Sequence, residues 1–309
     1  MKTLTTILGE KKMSFVIITD SATDMAPEII KEFDLHVIPT PVVIDGKDYF
    51  DRETIQTDEF YQILRSDQHE ISTYHINEAM FYSHFEPYAK RGDEVVYVCF
   101  STGIAGTYNA ANLAKRDLLE KYPDFDLTII DSKCASMGFG LVVYLALLMQ
   151  RNGADKQTVI DGIEFHKNHM EHLVTVETLR YLLKGGRISK TSAIAGGLLD
   201  IKPLIEVNDD GALVAFEKVR GRKRSLERLI DLVGERGKDL ENQVMAIVHG
   251  DCEETMLAVK KELEERYHPK AIKTNMIGCA IGAHTGPGVI GIIFMDEESP
   301  YKKWYVDSL

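Results

Sequence analysis

Glu94-Val-Val-Tyr-Val-Cys-Phe100 followed by Ser101-Thr-Gly-Ile-Ala-Gly-Thr107 and Tyr108-Asn-Ala-Ala-Asn-Leu-Ala-Lys-Arg-Asp-Leu-Leu-Glu-Lys-Tyr122 decides the fold. It reads as a buried strand, a polar glycine turn and a helix. A near-continuous apolar run is what a strand covered on both faces by helices requires. Upstream, Phe15-Val-Ile-Ile-Thr19 repeats the pattern and closes on Asp20-Ser-Ala-Thr-Asp24. Asp24 is expected to cap the helix that follows, with Pro27 in its first turn. Downstream, Leu127 to Ile130 closes on Asp131-Ser132 and leads into a long apolar helix ending near Gln150. Strand and helix thus alternate three times, the signature of a parallel, doubly wound α/β sheet. Ligands of such sheets bind beyond the carboxyl ends of the strands, where these polar turns lie.

Between these units, Leu35 to Val43 predicts one strand interrupted by Pro39 and Pro41, hence an edge or irregular strand. Asp45-Gly46 signals a hairpin and Thr57 to Arg65 a helix. A helix from Ala154 to Met170 and a strand from Leu173 to Val176 follow, then a helical turn from Leu179 to Lys184 stopped by Gly185-Gly186. Strands at 201–207 and 213–219 flank an Asp-Asp-Gly turn. Helices at 225–236 and 253–267 and strands at 244–249, 272–277 and 289–295 complete the chain. Strict alternation gives way to hairpin and helix near residue 165. The expected organisation is an N-terminal extension at 1–12, an N-terminal α/β domain at 13–165 and a mixed α/β C-terminal domain at 166–309.

The chain has 309 residues, 44% hydrophobic and 27% charged, with a formal net charge of -12. A chain of this length buries roughly three quarters of its unfolded surface and needs no metal or disulfide staple. The acidic balance argues against a general nucleic-acid binder, which needs a net basic face. Cys99, Cys134, Cys252 and Cys279 are too widely spaced for a zinc site or a disulfide framework, so reduced thiols and a cytoplasmic location are expected. The N-terminus carries no apolar run of about 7–15 residues as a secretory signal would. The longest uncharged apolar stretch, Met137 to Met149, is shorter than the ~20 residues of a membrane span, so no stable membrane insertion is expected.

No P-loop and no zincin or GxSxG motif occurs. Gly286-Pro-Gly288-Val-Ile-Gly291 matches GxGxxG, yet a strand-like run follows it where a dinucleotide site requires a helix. These glycines read either as a tight loop bringing His284-Thr285 to a ligand or as a plain turn into a strand. His166, His169 and His172 read as a solvated helix end. Ser101, with the free N–H groups of the following turn, forms an anion pocket suited to binding or to reacting with a carboxylate or phosphate, or is only a helix cap. Arg187, after the Gly185-Gly186 stop, meets a phosphate, a partner carboxylate or solvent. Lys218, Arg220, Arg222, Lys223, Arg224 and Arg228 against Glu227 place a net charge of +5 in eleven residues of an acidic chain, a docking patch for an acidic partner or phosphate.

Taken together, Asp20-Ser-Ala-Thr-Asp24, Ser101-Thr-Gly-Ile-Ala-Gly-Thr-Tyr-Asn109, Asp131-Ser132, Leu179-Arg-Tyr-Leu-Leu-Lys-Gly-Gly-Arg-Ile-Ser189, Ile201-Lys-Pro203, Val219-Arg-Gly-Arg-Lys223 and Gly282-Ala-His-Thr-Gly-Pro-Gly288 resemble the DegV family over about residues 14–295. The resemblance implies a two-domain DegV-like α/β fold that binds one long-chain fatty acid between its domains. It implies the role of binding subunit of a bacterial fatty acid kinase, presenting the carboxylate to a separate ATP-dependent kinase subunit that makes acyl phosphate, in phospholipid metabolism. The family's carboxylate-holding positions map to Thr73, Ser101, Thr102, His284 and Thr285. Gly103, Gly106, Gly286 and Gly288 support the loops, and Arg187, Arg220 and Arg222 would meet the kinase or the phosphoryl group. No catalytic residue, metal or cofactor is implied beyond the bound acid. The first loop departs from the family pattern, with Tyr74, His75, Ile76 and Asn77 after Thr73, and Ala105 replaces a hydroxyl in the glycine loop.

A long acyl chain gains about 0.8 kcal/mol per buried CH₂, so the apolar helix from Gly140 to Met149 and the apolar strands are candidate tunnel walls. The desolvated carboxylate would need hydroxyl and N–H donors at the mouth. Two readings compete: an autonomous Ser101-dependent acyl hydrolase or transferase, and a lipid carrier without a kinase partner.

Overall fold

The computed structural model describes residues 15–188 and 200–309. The expected extension at 1–12, the start of the first domain at Met13 and the hydroxyl of Ser189 lie outside the described residues. The first part runs β1 (Val16–Asp20), a single 3₁₀ turn (Ser21–Thr23), α1 (Pro27–Glu32), β2 (His36–Ile38), β3 (Pro41–Ile44), β4 (Lys47–Phe50), α2 (Thr57–Ser66), β5 (Ile71–Thr73), α3 (Glu78–Arg91), β6 (Val95–Cys99), α4 (Thr107–Lys121), β7 (Leu127–Asp131), α5 (Ser136–Arg151) and α6 (Lys156–Asn168). The second runs β8 (Met170–Thr175), α7 (Arg180–Lys184), β9 (Ile201–Val207), β10 (Leu213–Arg220), α8 (Arg222–Arg236), β11 (Val244–His249), α9 (Glu253–Tyr267), β12 (Ala271–Met276), α10 (Cys279–Thr285) and β13 (Ile290–Met295).

The alternating units build a wholly parallel four-stranded sheet, ordered β2-β1-β6-β7. The later strands build a mixed six-stranded sheet, β10-β9-β8-β13-β11-β12, in which only β11 and β12 run parallel. A third, antiparallel sheet, β4-β3-β5, is small. Its residues Val42 and Ile44 share an apolar core with Phe60 and Tyr61 of α2 and with Cys279 and Ala280 of α10. Early and late parts of the chain are therefore packed together.

The predicted strand at 35–43 is two strands in two sheets. Proline lacks an N–H and fixes φ, so the chain leaves the parallel sheet at Pro39 and re-enters pairing at Pro41 in the small one. Asp24 does not cap α1: Ala26 occupies that position without a side-chain bond, and Pro27 alone starts the helix. Of the three histidines expected in solvent, His166 and His172 are buried. His166 pairs with the Ser299 hydroxyl at 2.9 Å, and burial pushes its pKa down to about 3. Only His169 is partly exposed, beside Asp296 at 3.0 Å. Met137 to Met149 of α5 are buried all round, and below its first residue this helix is core, not cavity wall. No described helix is long and apolar enough to cross a membrane.

Candidate functional site

A cavity with about 1030 Å³ of empty space, open mouth included, lies among the polar turns of the parallel sheet, the mixed sheet and α10. Val174, Ile205, Val248 and Ile293 of the mixed sheet give it an apolar wall. Ile104 and Ala105 of the glycine turn close the side facing the parallel sheet, and four residues of α10 (Ala280, Ile281, His284 and Thr285) line one flank.

Polar groups deep in the lining are already satisfied by the protein. Asp20 receives the Tyr97 hydroxyl at 2.9 Å and the N–H groups of Phe100 and Ala22, and burial still raises its pKa to about 6. Ala135 N–H donates to His172 Nε2 at 3.2 Å, leaving Nδ1–H to donate to the Met170 carbonyl at 2.9 Å. Burial pushes the pKa of this imidazole down to about 4, so it is neutral.

The reactive-looking corner is elsewhere. Thr73, at the end of β5, places its Oγ1 2.7 Å from His284 Nε2 in the last turn of α10. Burial first, and the nearby Arg187 charge second, push His284 down to about 4, so the ring is neutral at physiological pH. Its Nδ1 is buried with no hydrogen-bond partner. Arg187 lines the same cavity, donates from Nη1 to the Gly185 carbonyl at 2.6 Å, and has no carboxylate partner among the described residues. A half-buried, unneutralised guanidinium beside a hydroxyl and a neutral imidazole is a corner built to receive an anion. Thr285 borders it with its hydroxyl donating to the Ile281 carbonyl at 3.2 Å. Tyr74 and His75 line the cavity too, and the His75 ring lies against Gly106, where an added Cβ would come within 3.3 Å of it.

Ser101 and Thr102, expected to hold the carboxylate, do not line this corner, and their hydroxyls are taken up by the protein itself. Ser101 is fully buried; its hydroxyl donates to the Gly211 carbonyl at 2.7 Å and accepts from Gly103 N–H at 3.1 Å. Thr102 is exposed, and its hydroxyl and N–H both go to the Asp131 carboxylate. The glycine turn instead clasps the tip of the β9–β10 hairpin. A Cβ on Gly103 would sit 2.5 Å from the Gly211 carbonyl carbon, and one on Gly211 (φ +76°) would sit 2.1 Å from Ser101 Oγ. Lys133 Nζ adds a bond to the Asp209 carbonyl at 2.9 Å.

Gly286 (φ +73°) and Gly288 (φ +82°) form the turn after α10, the first against the Tyr181 ring. Arg222 is partly buried and donates to the Gly288 carbonyl, so it braces this loop and is not a free docking cation. Arg228 is tied to Glu217 and Glu235. Lys218, Arg220 and Arg224 remain exposed, without an acidic partner among the described residues, and they are what persists of the expected basic patch.

Residues 14–297 match the sequence profile described as an uncharacterised protein of the DegV family. The chain belongs to the DegV family. A DegV domain-containing protein of Clostridium perfringens is 38% identical over 285 residues, which is 92% of this chain and 98% of that one. Among solved structures, a stearic-acid-binding protein from Eubacterium ventriosum superposes with a TM-score of 0.83 at 27% identity, over 91% of this chain and 99% of that one. A fatty-acid-binding DegV family protein from Thermus thermophilus superposes at 0.82 with 25% identity, over 91% and 99%. The α/β fold with a parallel and a mixed sheet is thus that of DegV proteins, and solved members of the family bind fatty acids.

Proposed function

We propose that this DegV protein binds one long-chain fatty acid in the cavity, with its carboxylate at the Thr73–His284–Arg187 corner, and presents it to a separate ATP-dependent kinase subunit. The observation that carries the reading is the pairing of a largely apolar cavity with Arg187, which has no carboxylate partner among the described residues, at its polar corner. Burying the acyl chain supplies affinity, at about 0.8 kcal/mol per CH₂. A carboxylate leaving water needs donors in exchange. Arg187 supplies charge, and Thr73 supplies its hydroxyl proton when His284 Nε2–H donates to Thr73 Oγ1. In the partner's active site a carboxylate oxygen attacks the γ-phosphorus of ATP; the new O–P bond forms as the bond to ADP breaks. Exposed Lys218, Arg220 and Arg224 are the surface for that partner.

The hydrolase reading finds no geometry, because the Ser101 hydroxyl donates to a backbone carbonyl and not to a base. Native mass spectrometry of the protein purified from cells tests the binding step: a mass increment of one fatty acid is expected. Empty protein that also takes up no added C14–C18 acid refutes it. Labelled oleate, ATP and Mg²⁺ with the kinase subunit encoded in the same genome test the second step, and failure to form acyl phosphate with a loaded protein refutes presentation while leaving binding intact.

A further inference from the structure

Asp24 and Asp51 are buried, with 0% and 1% of their surface exposed, and neither touches the cavity. Their oxygens meet the beginning of α10. Gly278 N–H donates to Asp24 Oδ1 at 2.7 Å, and Cys279 N–H donates to Asp51 Oδ1 at 3.0 Å. The helix has no side-chain cap of its own. Gly278 is what lets both carboxylates in: a Cβ there would sit 2.8 Å from Asp24 Oδ1 and 2.9 Å from Asp51 Oδ2.

The remaining oxygens are used as well. Ser136 Oγ donates to Asp24 Oδ2 at 2.5 Å and Ser21 Oγ to Asp51 Oδ2 at 3.2 Å, and Asn275 Nδ2 donates to the Asp24 carbonyl at 2.6 Å. Arg52 Nη2 lies 3.8 Å from Asp24 Oδ1. Two buried carboxylates at one point are costly unless hydrogen-bonded and compensated, and here they are both. Asp24 itself sits at φ +47°, in the left-handed region that Asp enters more readily than most residues.

α10 is seven residues long, and four of them line the cavity. Its start is held by Asp24 and Asp51, and its end is held through His284 by Thr73. A segment this short has no stability of its own, so these end contacts, together with the packing of Cys279 and Ala280 on β3 and α2, fix where it lies.

We propose that Asp24 and Asp51 are positioning residues for the ligand: they seat α10 so that His284 meets Thr73 and the Ala280–Ile281 face meets the acyl chain. The inference deepens the proposed function, since it takes that corner to be the carboxylate site. Burial raises the Asp24 pKa to about 7, and a protonated or an amide side chain there still accepts from Gly278 N–H.

The test compares Asp24→Ala, Asp24→Asn and Asp51→Ala with a destabilised control outside the cavity lining, Leu229→Ala on the buried face of α8. Two readouts are used: the ¹⁵N shifts of the His284 ring in ligand-free protein, and the Kd for cis-parinaric acid. Asp24→Ala is expected to shift the His284 signals and weaken binding by about tenfold or more, and Asp24→Asn to restore binding to within about threefold, a difference of well under the 1.4 kcal/mol that a factor of ten represents. If Asp24→Ala does not fold, Asp51→Ala is read by the same criteria. Folded alanine variants with wild-type His284 signals and wild-type Kd overturn the inference, as does an equal His284 shift in Leu229→Ala. If the wild-type protein takes up no fatty acid, the proposed function fails, while the ligand-free His284 signals still decide the positioning role.

Discussion

Replacing Ser101 with alanine separates two roles for the residue that most resembles a nucleophile. The structure gives its hydroxyl two partners, the Gly211 carbonyl at 2.7 Å and the Gly103 N–H at 3.1 Å, and leaves it fully buried. Deleting the hydroxyl strands the buried Gly211 carbonyl and the part-buried Gly103 N–H, which costs about 1–3 kcal/mol. For 309 residues, at about 2.1 cal/mol/K of unfolding entropy per residue, each kcal/mol lowers Tm by about 1.5 °C, so a fall of roughly 1.5–5 °C is expected in scanning calorimetry. Preference for a free fatty acid over its methyl ester should be unchanged, because the hydroxyl does not reach the cavity. A double-mutant cycle sharpens the result. In Gly211→Ala the new methyl group would sit 2.1 Å from Ser101 Oγ, so Ser101→Ala should relieve part of the damage and the two changes should be non-additive. An unchanged Tm together with loss of the acid-over-ester preference would refute the clasp and return Ser101 to the ligand.

Arg187→Gln should weaken binding of the free acid by about tenfold and leave the methyl ester unaffected, since among the described residues its guanidinium is the only cation lining that cavity; fluorescence titration with both ligands checks it. Arg220→Glu with Arg224→Glu should abolish acyl-phosphate formation with lipid binding intact, whereas Arg222→Glu should lower Tm because it unseats the Gly288 loop. Asp24, raised from the usual 3.8 to about 7, binds its proton more tightly in the folded state, so it favours folding at low pH and that contribution is lost as pH rises from 4 to 7. Asp24→Asn should remove this slope, worth up to about 4 kcal/mol across the window, in urea titrations at successive pH values. His172 and His284, lowered to about 4, act in the opposite direction: stability present above pH 6.5 is lost as pH falls toward 4, and Asp24→Asn leaves that acid limb in place.

The parallel sheet is legible because strands covered on both faces carry apolar runs: β6 is apolar throughout, and β1 and β7 carry Val-Ile-Ile and Ile-Ile ahead of a closing Asp. The segments missed by sequence reading lack any such signal. β5 is three residues long, α3 carries Pro87 and flanks its Phe81–Phe85–Ala89 stripe with Tyr82, His84 and Tyr88 so that the stripe does not stand out, and α10 has two alanines and a glycine among seven. Its one readable mark was Gly286, a positive-φ residue of the kind that ends helices. Thr73 is reached through family resemblance alone, whereas His284 and Arg187 are marked by the glycine turns beside them and take a carboxylate or phosphoryl role only from the resemblance. Nothing local connects residues 211 positions apart, as Thr73 and His284 are.

Ser101 and Asp24 show why polar turn residues are harder to read than apolar ones. A hydroxyl or carboxylate just before a helix matches the capping rule whether it caps that helix or something else, because the rule scores residue type and not direction. Ser101 spends its hydroxyl on a hairpin tip 110 residues away, and Asp24 spends its carboxylate on a helix 254 residues away. In both cases the local helix begins without that side chain, with Gly106 ahead of α4 and with Ala26 and Pro27 opening α1. A polar residue whose neighbouring helix already has a sufficient start is free to serve a distant backbone. In this chain both such residues bind parts that shape the cavity, so the surplus capping signals of a doubly wound sheet are where its ligand site is assembled.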